Sequence, residues 1–495
     1  MKTVKSLLLG AAAGFAALTG AQAADLPGKA APAEYVRICD TYGAGFFFIP
    51  GSDTCLRIGG FVRVDYGFNS SAGTGNRTVG SVAMQPVSSF DALYGTNARV
   101  NVNLDARSNT EFGLLRAFGE FAAYRGATSA SIGSGIHINS GVGASQRQSN
   151  ILLSRAFIQF AGFTFGYSAS FFNFYQGDVS YARPFGATAT STTVLAYTAS
   201  FGSGVSFTVS AEDAMYRRVG NGDAFVALTA PPVSSALARP LSGVYGLTYG
   251  ANTIPDIVAN LRVDQGWGSV QIMGALHQLR DFGNPIAGAV AVSGVDYSVA
   301  ATTVQRAGDK WGYAVGAGLR LNLDMLARGD VLWLQAVYAD GATDYAFSTA
   351  NQGGDRQTIS GAGNLAQNNS LTAQIRDAAV VANSIRTVQA WSLTAGFRHF
   401  WTPAVRSSIF GGYSNINAPA VATGLADVQY WQVGVNTIWS PVRNLDLGLE
   451  VVYHNIRVRD QAGAAIAGGT LGTNATVGRT VEGAWTGTLR VQRNF

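Results

Sequence analysis

Arginines sit in stretches where polar and apolar residues alternate, and they fall on the polar side of the alternation. Arg57, Arg63, Arg99, Arg107, Arg116 and Arg155 come early in the chain; Arg262, Arg320, Arg398 and Arg490 follow. Asp65, Asp105, Glu120 and Glu450 share that side with them. Charges set along one face make and break no bonds. They create a field that orients dipolar solutes and sorts ions. Such a field needs an opposite pole, and the stretch 171–193, FFNFYQGDVSYARPFGATATSTT, offers Asp178. Phe171, Phe172, Phe174, Tyr175, Tyr181 and Phe185 crowd this stretch, which does not alternate. A solvated loop has little use for so many rings; a loop folded against a wall packs them. The expected constellation is Asp178 opposite Arg63, Arg99, Arg116 and Arg155, with Glu120 among them, across a constriction.

Covalent chemistry has weaker support. The histidines are His137, His277, His399 and His454; His137 lies in a Ser/Gly-rich stretch and His399 on the apolar face of its segment. No Ser-His-acid set or carboxylate pair stands at a useful spacing, so an outer-membrane lipase or protease is the weaker alternative. No phosphate-binding Gly loop or metal cluster is evident, and no cofactor is expected. Cys39 and Cys55 are the only cysteines. An isolated pair in an exported chain reads most simply as a disulfide. It would close a 17-residue loop, a constraint of about 3 kcal/mol in the chain-entropy picture. A metal pair would lack further ligands nearby.

The elements that carry the arginines follow from composition and periodicity. Residues 1–23 read as a signal peptide: Lys2 and Lys5, the short apolar run Leu7–Leu18, then Ala21-Gln22-Ala23. The run is too short to span a membrane. Removing it leaves 495 − 23 = 472 residues, and the net charge falls from +5 to +3. That balance argues against a nucleic-acid partner. Charged residues are 13% of the chain, against roughly 25% in ordinary soluble domains. Yet no later segment holds the ~18 apolar residues of a helical span. A Gly-rich, charge-poor, exported chain of this kind fits a transmembrane β-barrel; a secreted solenoid or adhesin is the alternative class.

Period-two alternation supports the barrel. In Thr96–Arg107, Asn97, Arg99, Asn101, Asn103, Asp105 and Arg107 oppose Ala98, Val100, Val102, Leu104 and Ala106. Asn444–His454 repeats the pattern. Leu56–Phe68 follows it except at Phe61, and Ile151–Ala161 sets Arg155 and Gln159 against Leu152, Ala156 and Ile158. Sixteen such strands are expected in 56–495, after a leader and bridged segment at 24–55. Their connections alternate between tight and long, as in outer-membrane barrels with one short-turned and one long-looped rim. A charged residue facing lipid costs about 2–4 kcal/mol at mid-depth, so the polar face must line water. Sixteen strands enclose more than side chains can fill. Trp391, Trp401, Trp431, Trp439 and Trp485 are candidates for the interfacial girdles. The long stretches 213–255 and 341–389 have no assigned role.

Glu34–Phe68, EYVRICDTYGAGFFFIPGSDTCLRIGGFVRVDYGF, resembles the N-terminal signature of the alphaproteobacterial porin family of Rhizobiales. The cysteine pair, the GAGFFFIPG centre and CLRIGG carry the match. Arg155–Tyr175 resembles that family's lead into its third loop, and the strand ending at Phe495 resembles the terminal signal of outer-membrane proteins. The resemblance implies a 16-stranded, homotrimeric, general-diffusion porin for small hydrophilic solutes and ions, embedded in the outer-membrane bilayer. Substrate selection for sugars or anions, and adhesion through the long loops, are the alternatives.

Overall fold

The computed structural model describes residues 37–69, 77–79, 82–84, 94–127, 147–219, 244–247, 249–250, 253–281, 284–286, 303–305, 307–347, 376–381, 383–419, 426–460 and 479–495. The expected signal peptide and most of the leader lie outside them. Sixteen long strands form one ring: β1 Cys55–Asn69, β2 Tyr94–Thr110, β3 Gly113–Ala127, β4 Arg147–Phe160, β5 Phe163–Ala169, β6 Ser191–Gly202, β7 Val205–Glu212, β8 Asp256–Gln265, β9 Gly268–Arg280, β10 Asp309–Asn322, β11 Val331–Asp340, β12 Gln389–Thr402, β13 Val405–Asn417, β14 Ala426–Val442, β15 Leu445–Asp460 and β16 Arg479–Asn494. Each pairs antiparallel with the next, and β1 pairs with both β2 and β16. This is the expected 16-stranded antiparallel barrel, with all sixteen strands where alternation predicts them.

Closure is the β1–β16 ladder, from Asn69–Thr486 to Phe61–Asn494, and it ends at Gly60. Its N–H donates to the Phe495 carbonyl at 3.1 Å and its carbonyl accepts from the Phe495 N–H at 3.0 Å. The φ of Gly60 is +158°, and a Cβ there would run into the Asn101 carbonyl. The chain end is thus stitched into the first strand at a position where the backbone leaves no room for a side chain.

Side chains sort by face. On β14, Val433, Val435 and Trp439 are 46%, 52% and 52% exposed, whereas Gln432 and Asn436 are 1% and 3% exposed. In a closed ring the exposed apolar face is the outer, lipid-contacting one. Trp431 and Trp439 are both outward and eight residues apart, about 26 Å along a strand. A tilt of about 40° turns that into roughly 20 Å of height, near the ~25 Å apolar band of such barrels. Phe61 breaks the pattern because its ring turns inward, where the Arg63 and Arg99 guanidiniums lie 5.3 and 5.8 Å from its centroid. One expectation fails: Leu152 does not share the outer face with Ile158. A register shift between Glu120 and Phe121 leaves Ser154 unpaired, so Leu152 pairs with Ala122 on the inner face and Leu153 turns outward. A bulge moves every later side chain to the other face.

Cys39 and Cys55 are bonded, with Cα atoms 6.0 Å apart. Phe46 of the bridged segment is 2% exposed. The guanidiniums of Arg57 and Arg107 lie over its ring at 5.3 and 4.9 Å. The short strand Phe47–Phe48 adds to β1. The disulfide pins this segment against the start of β1 and the end of β2.

The outward assignment is testable at Val435. Val435→Arg should destabilise the barrel by about 2–4 kcal/mol, read as a lower urea midpoint for loss of strand signal in detergent. Asn436→Ser, one residue along and facing inward, should shift it by far less.

Candidate functional site

β5 is seven residues long, and the chain leaves the wall at Ser170 to return at Ser191. Between these points it lies along the inner faces of successive strands, and its backbone is held by their polar side chains. The Phe171 N–H donates to Glu212 Oε1 on β7 at 2.9 Å, and Asn260 on β8 donates to the Phe171 carbonyl at 2.6 Å. Gln271 on β9 donates to the Asn173 carbonyl at 3.1 Å. Gln335 on β11 accepts from the Tyr175 N–H at 2.8 Å and donates to the Gly186 carbonyl at 2.7 Å. Thr394 on β12 reaches the Phe185 carbonyl, and Asn436 on β14 the Val179 carbonyl, at 3.1 and 2.8 Å. Glu450 on β15 accepts from the Tyr181 and Ala182 N–H groups at 2.6 and 2.5 Å. A strapped loop buried away from water must satisfy its backbone in this way.

The rings fill hollows made by missing side chains. A Cβ at Gly318 on β10 would strike Phe174, one at Gly396 on β12 would strike Tyr175 and Val179, and one at Gly448 on β15 would strike Tyr181. Gly412 on β13 meets the Phe185 backbone in the same way. Phe172, Phe174, Tyr175 and Phe185 are each at most 4% exposed. Tyr175 stacks on Trp333 with centroids 5.4 Å apart. These glycines share strand parity with the inward polar residues, which is the sequence signal that marks them.

Asp178 accepts from the Gln176 N–H at 3.2 Å and lines a cavity of about 220 Å³. The other charges on that cavity are Arg398 of β12, Arg406 of β13, Asp446 of β15 and Arg490 of β16. Arg406 pairs with Asp446 at 2.8 Å and Arg490 with Asp65 at 2.6 Å. Asp65 also takes Arg63 at 3.2 Å, and Arg63 sits directly across from Arg99 in the β1–β2 register. Arg63 and Arg99 therefore connect to the Asp178 cavity through a shared carboxylate and a neighbouring strand. Arg116 and Arg155 are not gathered there. Arg116 grips Asp105 at 2.9 and 3.0 Å, beside Arg107. Arg155 stands 3.7 Å from Glu120, which also accepts from Asn101. Arg406 was not among the sequence candidates, although its parity with Ser408 marks it as inward. His399 pairs with Asp330 at 2.6 Å and lies edge-on to Trp401.

Glu450 anchors the loop through one buried carboxyl group that meets two of its backbone N–H groups and the Asn436 amide. Glu450→Ala should accelerate amide exchange at Tyr181 and Ala182 by on the order of tenfold or more. Gly448→Val should do the same by displacing the Tyr181 ring, with the barrel's own amides unchanged.

The Porin subfamily model matches residues 24–484. Porin Omp2b of Brucella canis is 30% identical over 354 residues, which is 68% of this chain and 85% of that protein. Porin Omp2b of Brucella abortus gives the same identity and coverage. Among solved structures, the outer-membrane channel DcaP of Acinetobacter baumannii superposes with a TM-score of 0.54 at 16% identity, over 90% of this chain and 99% of that one, a likeness of fold alone. The barrel, the disulfide-pinned start and these matches together place the chain in the porin subfamily, as a channel of the bacterial outer membrane.

Proposed function

We propose that the protein is a passive, water-filled channel for small hydrophilic solutes and ions, narrowed by the loop 171–193. The observation that carries this is the seating of the loop along β7 to β15. A sixteen-stranded ring is too wide for side chains to fill. A strap on one side leaves the passage between it and the opposite wall, β1 to β4, which bears Arg63, Arg99, Arg116 and Arg155. Asp178 supplies the negative pole on the loop side. Asp105 offsets much of the Arg116 charge, Glu120 part of the Arg155 charge, Asp65 part of the Arg63 and Arg490 charges and Asp446 part of the Arg406 charge. Arg398, Arg406 and Arg490 against Asp178 and Asp446 leave one net positive charge at the cavity. The reading is a mild anion preference imposed on a general pore. Three copies are proposed to assemble as a trimer through the small outward residues of β3, including Ala117 and Ala123; a purified species of one-copy mass in mild detergent would contradict that.

Reconstituted protein should give stepwise conductance in planar bilayers, and a folded but silent protein would refute the channel. In a salt gradient Asp178→Asn should move the reversal potential further toward anions, while Arg398→Gln with Arg406→Gln should move it toward cations. Unchanged potentials in both variants would remove Asp178 and these arginines from the permeation path.

A further inference from the structure

A second set of charged side chains lies apart from the Asp178 cavity, at the long-loop end of β7 to β9. It joins the two long connections whose role the sequence leaves open. Asp256 Oδ1 lies 2.7 Å from His277 Nδ1, and His277 Nε2 lies 2.9 Å from the Tyr249 hydroxyl. That hydroxyl donates to Asp377 Oδ2 at 2.6 Å. Asp377 also accepts from the Val219 N–H and from the N–H and hydroxyl of Thr343, each at 2.7 Å. Asp256 takes a further bond from the Tyr345 hydroxyl at 2.7 Å. Asp256, His277 and Asp377 are all 0% exposed. Residues 219 and 249 belong to the β7–β8 connection; 343, 345 and 377 belong to the β11–β12 connection. One chain of side chains thus ties both connections to the barrel wall at β8 and β9.

The chain has a proton count. Three contacts in series need three hydrogens. A neutral imidazole brings one and the phenol brings one. Because the phenol hydrogen goes to Asp377, the ring must donate from Nε2 to the phenol oxygen. The contact with Asp256 then requires a further hydrogen between Nδ1 and Oδ1. We propose that Asp256, His277, Tyr249 and Asp377 form a site that binds one proton, and that this proton latches the segments around 219, 249, 343 and 377 to the barrel wall. Arg218 lies 4.6 Å from the Tyr249 ring centroid, and Arg217, paired with Asp344, lies 4.1 Å from that of Tyr345. Glu212 sits at the base of the first connection, bonded to Ser210. With the proton present, the imidazolium and Arg218 balance Asp256 and Asp377; without it, a buried carboxylate lacks a counter-charge. Burial pushes the Asp377 carboxyl up, and His277 and the bonds from Tyr249, Val219 and Thr343 pull it back.

The latched state holds one more proton than a released state with solvated carboxylates and a neutral ring. Latching is therefore favoured at lower pH and lost as pH rises. Release reaches the pore loop, because Tyr345 packs on Phe172 at 4.7 Å and Phe347 on Phe185 at 5.4 Å. This consequence rests on the channel reading; the latch itself does not. Two measurements on the full chain separate them. Amide exchange of Val219 and Thr343 in detergent, corrected for its intrinsic pH dependence, should quicken by about tenfold between about pH 6 and pH 9 with a one-proton slope. Single-channel conductance should rise across the same transition. Tyr249→Phe, which keeps every barrel residue but cuts the chain, should exchange fast at both pH values, and His277→Gln should abolish the slope. Flat corrected exchange in the wild type, or an unchanged slope in either variant, overturns the latch. PH-dependent exchange with no conductance at any pH supports the latch and overturns the channel reading instead.

Discussion

Lipid offers no hydrogen bonds, so every backbone N–H and C=O within it must pair inside the protein. A strand wall meets that demand only by closing, and here the closing contact is the β1–β16 ladder, ended by the exchange between Gly60 and Phe495. The rest follows from closure. Once the ring is shut, one face of each strand meets lipid and the other meets the interior. Arginines that would be costly outside become affordable inside, provided they find carboxylates or water. Asp65 and Asp105 each serve two guanidiniums, which keeps the lumen charged without leaving buried charge unpaired.

The loop 171–193 is the second consequence. A ring of this width needs an internal element if it is to discriminate by size. A chain segment inside a barrel faces the same accounting as one in a core: its amides must be met and its rings packed. The wall meets the first need with Gln335, Asn436, Glu450 and their neighbours. It meets the second by omission, with glycine where a ring must sit. Polar side chains and glycines at inward positions therefore follow the loop's path as much as they serve water. The connections around 219, 249, 343 and 377 extend this interior structure at the same long-loop rim, and their aromatic contacts with Phe172 and Phe185 join the two layers.

Much of this was legible in the sequence. Alternation with period two located all sixteen strands, because one face is fixed by lipid and the other by water. The odd residues were harder. Phe61 looked like an error in the pattern and is an inward ring beneath two guanidiniums. Leu152 was placed on the wrong face because a bulge at Ser154 leaves no trace in polarity. The loop's aromatics suggested packing, but not what they pack on, since the glycines that receive them are up to 267 residues away (Tyr181 to Gly448). Partners across a barrel are set by the ring's closure, which local pattern does not encode. For the same reason Asp178 could be named as the loop's acid and Arg398 and Arg490 as inward arginines, while their meeting at one cavity, and Arg406 beside them, could not be read.

The central claim is that the strapped loop sets the width of the path. Replacing residues 172–189 by a short Gly-Ser link removes the strap and leaves all sixteen strands. Single-channel conductance of that variant, beside the wild type in the same bilayer and salt, is the most direct measurement. The account predicts a several-fold larger conductance step in a barrel of unchanged strand content. An equal step from an equally folded barrel would contradict it.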